Sequence, residues 1–227
     1  ELTAELTAEL TAELTARKTQ YEYYLESLIV SCKTAHKTKL SEVCDIYDGT
    51  HQTPQYTSSG VKFVSVENIN DLYGTQKYIS EEAFDKYKIK PRIGDVLMTR
   101  ITAGIIGKCT VVDRDEPLAY YVSLALLRPN KEVLDSRFLK YYIESGYGKK
   151  ELRKFILTDA TPPKINKDSI GKVAILIPSI DEQRRIISVI EKFDALCNDI
   201  SSGLPAEIEA RTKQYEYYRD KLLTFPE

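Results

Sequence analysis

One passage of this chain is written twice, once near each end. Residues 10–24 read LTAELTARKTQYEYY and residues 204–218 read LPAEIEARTKQYEYY, identical at ten of fifteen positions. Ahead of the first copy, residues 1–16 are four tandem ELTA units. A period of four built from Glu, Leu and Ala commits the segment to helix. The residue types favour it, and Leu at i, i+4 falls on one face. Two similar helices therefore bracket a long stretch of different character, and any fold must accommodate both arms.

The run 1–31 contains neither Pro nor Gly and predicts one helix of ~46 Å, at ~1.5 Å per residue. Its Leu2, Leu6, Leu10 and Leu14 stripe needs a partner helix, because a long isolated amphipathic arm is not stable alone. Tyr21, Tyr24, Leu25, Leu28 and Ile29 extend that stripe, and the tyrosines read as helix-packing surface. After Pro178 the helical pattern returns. Ser179 is an N-cap, with Glu182 three residues on to complete a capping box. Ile186, Ile187, Val189, Ile190, Phe193 and Leu196 mark an apolar face. Ser201, Ser202 and Gly203 interrupt it, and Pro205 suits the first turn of a last helix running to about Leu223.

Between the arms, β-type runs at 61–66, 95–100, 107–113, 119–128 and 173–177 predict short strands. Helical patterns stand at 80–88, 134–145 and 149–156. Gly and Pro punctuate loops at 49–60, 90–94 and 158–166. The expected fold class is a mixed α/β (α+β) body flanked by long helices that form an antiparallel coiled coil. The expected divisions are 1–31, 32–180 and 181–227.

The formal net charge of −2 hides a division of sign. Residues 31–180 carry 23 Lys and Arg against 18 Asp and Glu, whereas the two ends carry 9 against 16. A basic centre between acidic arms suits a body that meets phosphate and arms that do not. Cys32, Cys44, Cys109 and Cys197 show no C-x-x-C spacing and read as reduced thiols of a cytoplasmic protein. With only His36 and His51 beside them, no familiar zinc spacing arises. No apolar run approaches the ~20 residues that span a bilayer. No signal peptide is read, and the absence of an initiator Met reads as a cut or trimmed first residue.

Three polar loops carry the candidate contacts. In DGTHQTPQYTSSGVKFVSVEN (48–68), His51 and Gln52 offer groups that hydrogen-bond base edges, Thr50 and Thr53 suit phosphates or a thymine methyl, and Tyr56 adds a ring. In GDVLMTRITAGIIGK (94–108), Arg100 and Thr102 end a strand where they can point into a groove, and Lys108 follows. This stretch is not a phosphate loop. Position 102 is Thr where that motif needs Gly, and Cys109 follows Lys108 where it needs Ser or Thr. In TDATPPKINK (158–167), Lys164, Asn166 and Lys167 are polar groups able to touch a nucleic-acid backbone. Its Thr-Pro-Pro-Lys run lacks the amide and the aromatic of an amino-methyltransferase motif, and no Gly-rich strand-to-helix turn for a methyl donor is present.

DGTHQTPQYTSSGVKFVSVENI (48–69), IGDVLMTRITAGIIGKCTVV (93–112), TPPKINKDSIGKVAILIPSIDEQRRII (161–187) and the Leu-Thr-Ala-Glu repeats followed by ARKTQYEYY closely resemble the specificity subunit of type I restriction–modification enzymes. The resemblance covers essentially the whole chain. It implies a non-catalytic reader of double-stranded DNA that works with a modification subunit and a restriction subunit. The methyl donor and ATP then belong to those partners, and this chain needs no cofactor or metal. Members of the family carry two target-recognition domains separated by conserved helices. This chain has one, and looks like half a specificity subunit, starting in the central spacer and running to the natural C-terminus. Two copies pairing through their helices as a homodimer would rebuild the two-fold plan. The repeats then act as a ruler between half-sites. Four helical residues advance ~6 Å and turn ~40° beyond a full rotation, a step of the order of one or two base pairs.

Two other classes compete. A coiled-coil scaffold without DNA contact accounts for the arms and leaves the basic, loop-rich centre unused. A solitary methyltransferase lacks its donor and amine motifs.

Overall fold

A computed structural model of the chain describes residues 2–30, 35–198 and 204–223. These divide into two compact units, Ile29–Arg184 on one hand and Glu1–Leu28 with Arg185–Glu227 on the other.

In the body, Ile29–Arg184, the most apolar runs become strands buried on both faces. β5 (Val96–Thr99) is buried at every position, and β8 (Leu124–Pro129) at all but Arg128. Continuous Val, Leu and Met without alternation is the pattern of a central strand covered on both sides. They pair antiparallel in a four-stranded sheet of order β2-β8-β5-β6, with β2 at Cys44–Asp48 and β6 at Cys109–Val111. A three-stranded sheet, β4-β3-β7, joins β3 (Val61–Val64) antiparallel to β4 (Tyr78–Ile79) and parallel to β7 (Leu118–Tyr120). Leu97, Leu118, Leu124 and Leu126 share one core cluster with Val64 and Tyr120, which locks the two sheets together. β1 (His36–Lys39) pairs antiparallel with β9 (Ala174–Ile177) and brings the start and end of the body side by side.

The mixed α/β class holds, with three differences of detail. The strand expected over 119–128 is two strands in two sheets. A turn at 121–123, closed by Leu124 N–H donating to Tyr121 C=O at 2.9 Å, switches the chain from one sheet to the other. The run expected over 61–66 stops at Val64, because Ser65 caps a single 3₁₀ turn at Val66–Asn68. The helix expected over 149–156 starts earlier, at Gly146–Arg153, where the Ser145 hydroxyl accepts from Gly148 N–H at 3.1 Å. Gly148 is required there, since a Cβ would lie 2.0 Å from the Tyr142 carbonyl oxygen.

Two buried polar devices brace the body. Asp95, 3% exposed at its side chain, accepts from Arg128 Nε at 2.8 Å and Nη2 at 2.7 Å across the β5–β8 pair, and also takes the Arg92 N–H at 3.0 Å. Gln183, fully buried, uses its whole amide. Oε1 accepts from Asp135 N–H at 2.9 Å, while Nε2 donates to Val133 C=O at 2.8 Å and Pro178 C=O at 2.9 Å. It thereby fastens the first turn of the Ile180–Asn198 helix, whose expected cap is present as Glu182 N–H donating to Ser179 Oγ at 3.4 Å.

The other unit is helical: the N-terminal helix (Leu2–Val30), the later turns of the 180–198 helix and the last helix (Leu204–Leu223). Tyr24 stacks on Phe193 with centroids 5.8 Å apart, and Leu25, Ile186, Ile187 and Ile190 are buried. Ala8, Thr11, Ala12, Thr15, Ala16 and Thr19 line one side of a cleft of about 940 Å³, and Thr212, Tyr215, Glu216 and Arg219 line the other. Both sets follow helical spacing, so the faces belong to the two copies of the duplicated passage. Two threonines of the N-terminal helix bond to its own backbone. Thr15 Oγ1 donates to Thr11 C=O at 2.9 Å and Thr19 Oγ1 to Thr15 C=O at 3.1 Å. The expected stripe of Leu2, Leu6, Leu10 and Leu14 lies outside the described side chains, as does the 201–203 break.

Candidate nucleic-acid interface

The first and second polar loops meet at the turn at 121–123, and the third joins the second. The first follows β2. Gly49 runs so close to that turn that a Cβ would sit 2.4 Å from the Tyr121 carbonyl oxygen. Thr50 then pairs with it, donating N–H to Tyr120 C=O at 3.1 Å and accepting from Val122 N–H at 2.9 Å. The Thr50 hydroxyl is spent on a local turn, 3.2 Å from the Gln52 carbonyl oxygen and 3.3 Å from its N–H. His51, Gln52 and Thr53 follow, all exposed. Tyr56, 45% exposed, rests edge-on against Phe63 with centroids 5.8 Å apart.

The second loop joins β5 to β6 and is pinned by Thr99. The Thr99 hydroxyl donates to Ile105 C=O at 2.6 Å and accepts from Lys108 N–H at 3.0 Å, and its carbonyl accepts from Gly107 N–H at 2.9 Å. Gly107 adopts φ +92°, a conformation that disfavours side chains. Thr102 folds its hydroxyl onto Gly104 N–H at 2.9 Å. Ile105 is held at the tip with 67% of its surface exposed.

The third loop is closed by Leu157 and Lys164, which exchange backbone bonds of 2.8 and 3.3 Å. It joins the second loop through Thr102 N–H to Pro163 C=O at 3.2 Å and an Ile101–Lys164 bridge. Asn166 begins the Lys167–Gly171 helix, exposed, with its side chain making no capping bond.

Most of the residues singled out in the sequence thus lie on one connected set of loops. His51, Gln52, Thr53, Tyr56 and Asn166 present exposed side chains, and Thr50, Thr102, Lys108 and Lys164 are half-buried. Arg100 requires a correction. It is 5% exposed and its Nη1 donates to the Asp48 carboxylate, linking the second loop to the first. Burial pulls the guanidinium down from its ordinary value. Its side chain is turned onto Asp48 and is not among the exposed groups.

Sequence reasoning missed Lys86 and Lys88. Both are exposed, and with Tyr87 and Ile89 they line a cleft of about 200 Å³ shared with Asp48, Gly49 and Thr50. Among the described residues neither enters an ion pair. The signal was present as alternation over 86–90, Lys-Tyr-Lys-Ile-Lys, directly after the Glu81–Asp85 helix. Elsewhere chemistry is quiet. Burial pushes the thiols of Cys44 and Cys109 up, which keeps them protonated and unreactive. Among the described residues no cluster of His, Cys, Asp or Glu is placed to hold a metal ion, and no helix is long and apolar enough to cross a membrane.

The chain thus combines a mixed α/β body, whose three polar loops are linked to one another, with helices built from a duplicated passage. The chain belongs to the family described as the type I restriction modification DNA specificity domain, which it matches over residues 33–210. It is 32% identical over 212 residues to a putative type I restriction enzyme specificity subunit of Haemophilus influenzae, covering 91% of this chain and 52% of that one. It is 31% identical over 219 residues to the EcoR124I/EcoR124II specificity subunit of Escherichia coli, covering 91% and 53%. The chain therefore spans about half the length of these relatives. Its fold matches a chain from a structure of type I restriction–modification complex assembly (TM-score 0.77, 22% identity, 97% of this chain and 55% of the other). It also matches the HsdS subunit of Thermoanaerobacter tengcongensis (TM-score 0.67, 21% identity, 93% and 53%).

Proposed function

We propose that this chain reads one half of a split DNA site for a type I restriction–modification complex, with residues 32–180 as its target-recognition domain. The observation that carries the reading is the linkage of three polar loops into one connected set, with the exposed cations Lys86 and Lys88 beside the first. In this account His51, Gln52, Thr53, Tyr56, Thr102, Lys108, Lys164 and Asn166 contact DNA together with Lys86 and Lys88. Thr50 serves mainly through its backbone, and Arg100 makes no contact. Phosphate contacts position such a surface and base-edge contacts give it sequence.

Residues 1–31 and 181–227 form the mount, an antiparallel coiled coil on which a modification subunit docks and through which a second copy pairs. Exposed Tyr23, Tyr217 and Tyr218 supply aromatic area of the kind that interfaces use. The duplicated passage supports pairing, since joining two copies would restore a two-domain plan. The chain itself carries out no chemistry. Methyl transfer and ATP-driven cleavage belong to the modification and restriction subunits, in the cytoplasm.

The test is selection from a random-sequence duplex library by the full chain co-purified with its modification subunit. Enrichment of a defined motif, with affinity falling steeply as salt rises, is expected. Recovery of unselected sequence would leave the scaffold reading in its place.

A further inference from the structure

The Arg100–Asp48 pair joins residues 52 positions apart in the chain, and it sits where the loops meet. Arg100 holds the junction at three points. Its side chain reaches Asp48 in the first loop, its N–H donates to Ser123 C=O at 2.9 Å, and its carbonyl accepts from Ile165 N–H at 2.9 Å beside the third loop. Asp48 is anchored in turn, its carbonyl accepting from the Tyr120 hydroxyl at 3.1 Å. The arrangement is not optimised for stability. Arg100 Nε and Ser123 Oγ are both buried without a hydrogen-bond partner. Unpaired buried polar atoms are rare and costly, and an apolar side chain of similar volume often replaces a buried ion pair without loss. What apolar packing does not supply is direction. A charge-assisted hydrogen bond between a guanidinium and a carboxylate is directional, and a recognition surface needs its reading groups held to a fraction of an ångström.

We propose that Arg100 and Asp48 are a positioning pair that sets the mutual register of the three loops, and so determines which bases are read, while touching no base. The inference rests on the DNA-reading proposal above.

The double substitution Arg100→Met with Asp48→Asn removes the lock and leaves no orphan charge. Wild type and variants, each as full chain with modification subunit, are put through the same library selection. Binding is then measured on the wild-type-selected duplex and on a scrambled duplex, beside a thermal melt. The selected-to-scrambled affinity ratio is expected to fall about tenfold or more, the equivalent of at least one mismatched base pair. Affinity for the scrambled duplex and its salt dependence stay at the wild-type level. Arg100→Lys, which keeps the charge and loses the planar guanidinium, lies between wild type and the double variant. An unchanged ratio overturns the proposal, and so does an equal loss on both duplexes, which marks a merely structural pair. Should the double variant melt below assay temperature, Arg100→Lys decides: a reduced ratio supports the lock and an unreduced one overturns it. If the wild type enriches no motif, the DNA-reading proposal itself has failed, and this inference falls with it.

Discussion

The loops of the body and the repeats of the N-terminal helix are both polar and surface-placed, yet they are built on opposite rules. The loops add to their local turns supports that come from far along the chain: Arg100 to Asp48, Thr102 to Pro163, Thr50 to Tyr120. In the N-terminal helix Thr15 and Thr19 each bond one turn back, Thr15 to Thr11 and Thr19 to Thr15. A loop residue therefore has a unique address that nothing else in the chain can fill. A repeat unit is interchangeable with its neighbour. The first design suits a surface that must be one shape, the second an element whose length matters more than its details.

The sharpest way to break this contrast is to disturb the body's long-range supports. Asp95→Ala leaves the half-buried Arg128 guanidinium without its carboxylate and should cost about 3 kcal/mol or more, read as a lower urea midpoint at unchanged m-value. Gln183→Leu strands Asp135 N–H and the Val133 and Pro178 carbonyls, and should cost about 2 kcal/mol in the same assay. The double variant Lys86→Ala, Lys88→Ala should leave stability alone. It should weaken binding to selected and scrambled duplexes alike, and flatten the log–log salt slope by roughly 2 if each lysine neutralises one phosphate. A change in the selected motif would instead place these lysines among the base readers. At the small end, Glu9→Gln in the repeat helix should shift stability by no more than about 0.5 kcal/mol. A cost there comparable to Asp95→Ala would erase the distinction between the two regions.

How much of this was legible beforehand divides along the same line. The helices read directly, because their evidence is periodic and local. The unbroken run 1–31 became Leu2–Val30, and Ser179 capped the helix it was expected to cap. The apolar strands β5 and β8 were also plain. The break at 121–123 was not, because Tyr-Val-Ser lies inside a continuous β-type run, and only pairing with two different sheets makes it turn. The pairing of His36–Lys39 with β9 was hidden for a similar reason: its four residues are polar, and their partner lies some 140 positions away. In the loops, residue type identified groups able to touch DNA but not which of them face outward. Arg100 and Lys88 look alike on paper. The first is buried and paired with a carboxylate 52 positions upstream, and the second stands exposed in the segment after the Glu81–Asp85 helix.

The central claim is that the body chooses the bases and the repeats choose the distance between them. Methylome sequencing of cells expressing the chain with its modification subunit, with four ELTA units and with one deleted, tests it most directly. The account predicts a palindromic split site whose half-site bases are the same in both strains and whose non-specific gap differs. Altered half-site bases with an unchanged gap would contradict it.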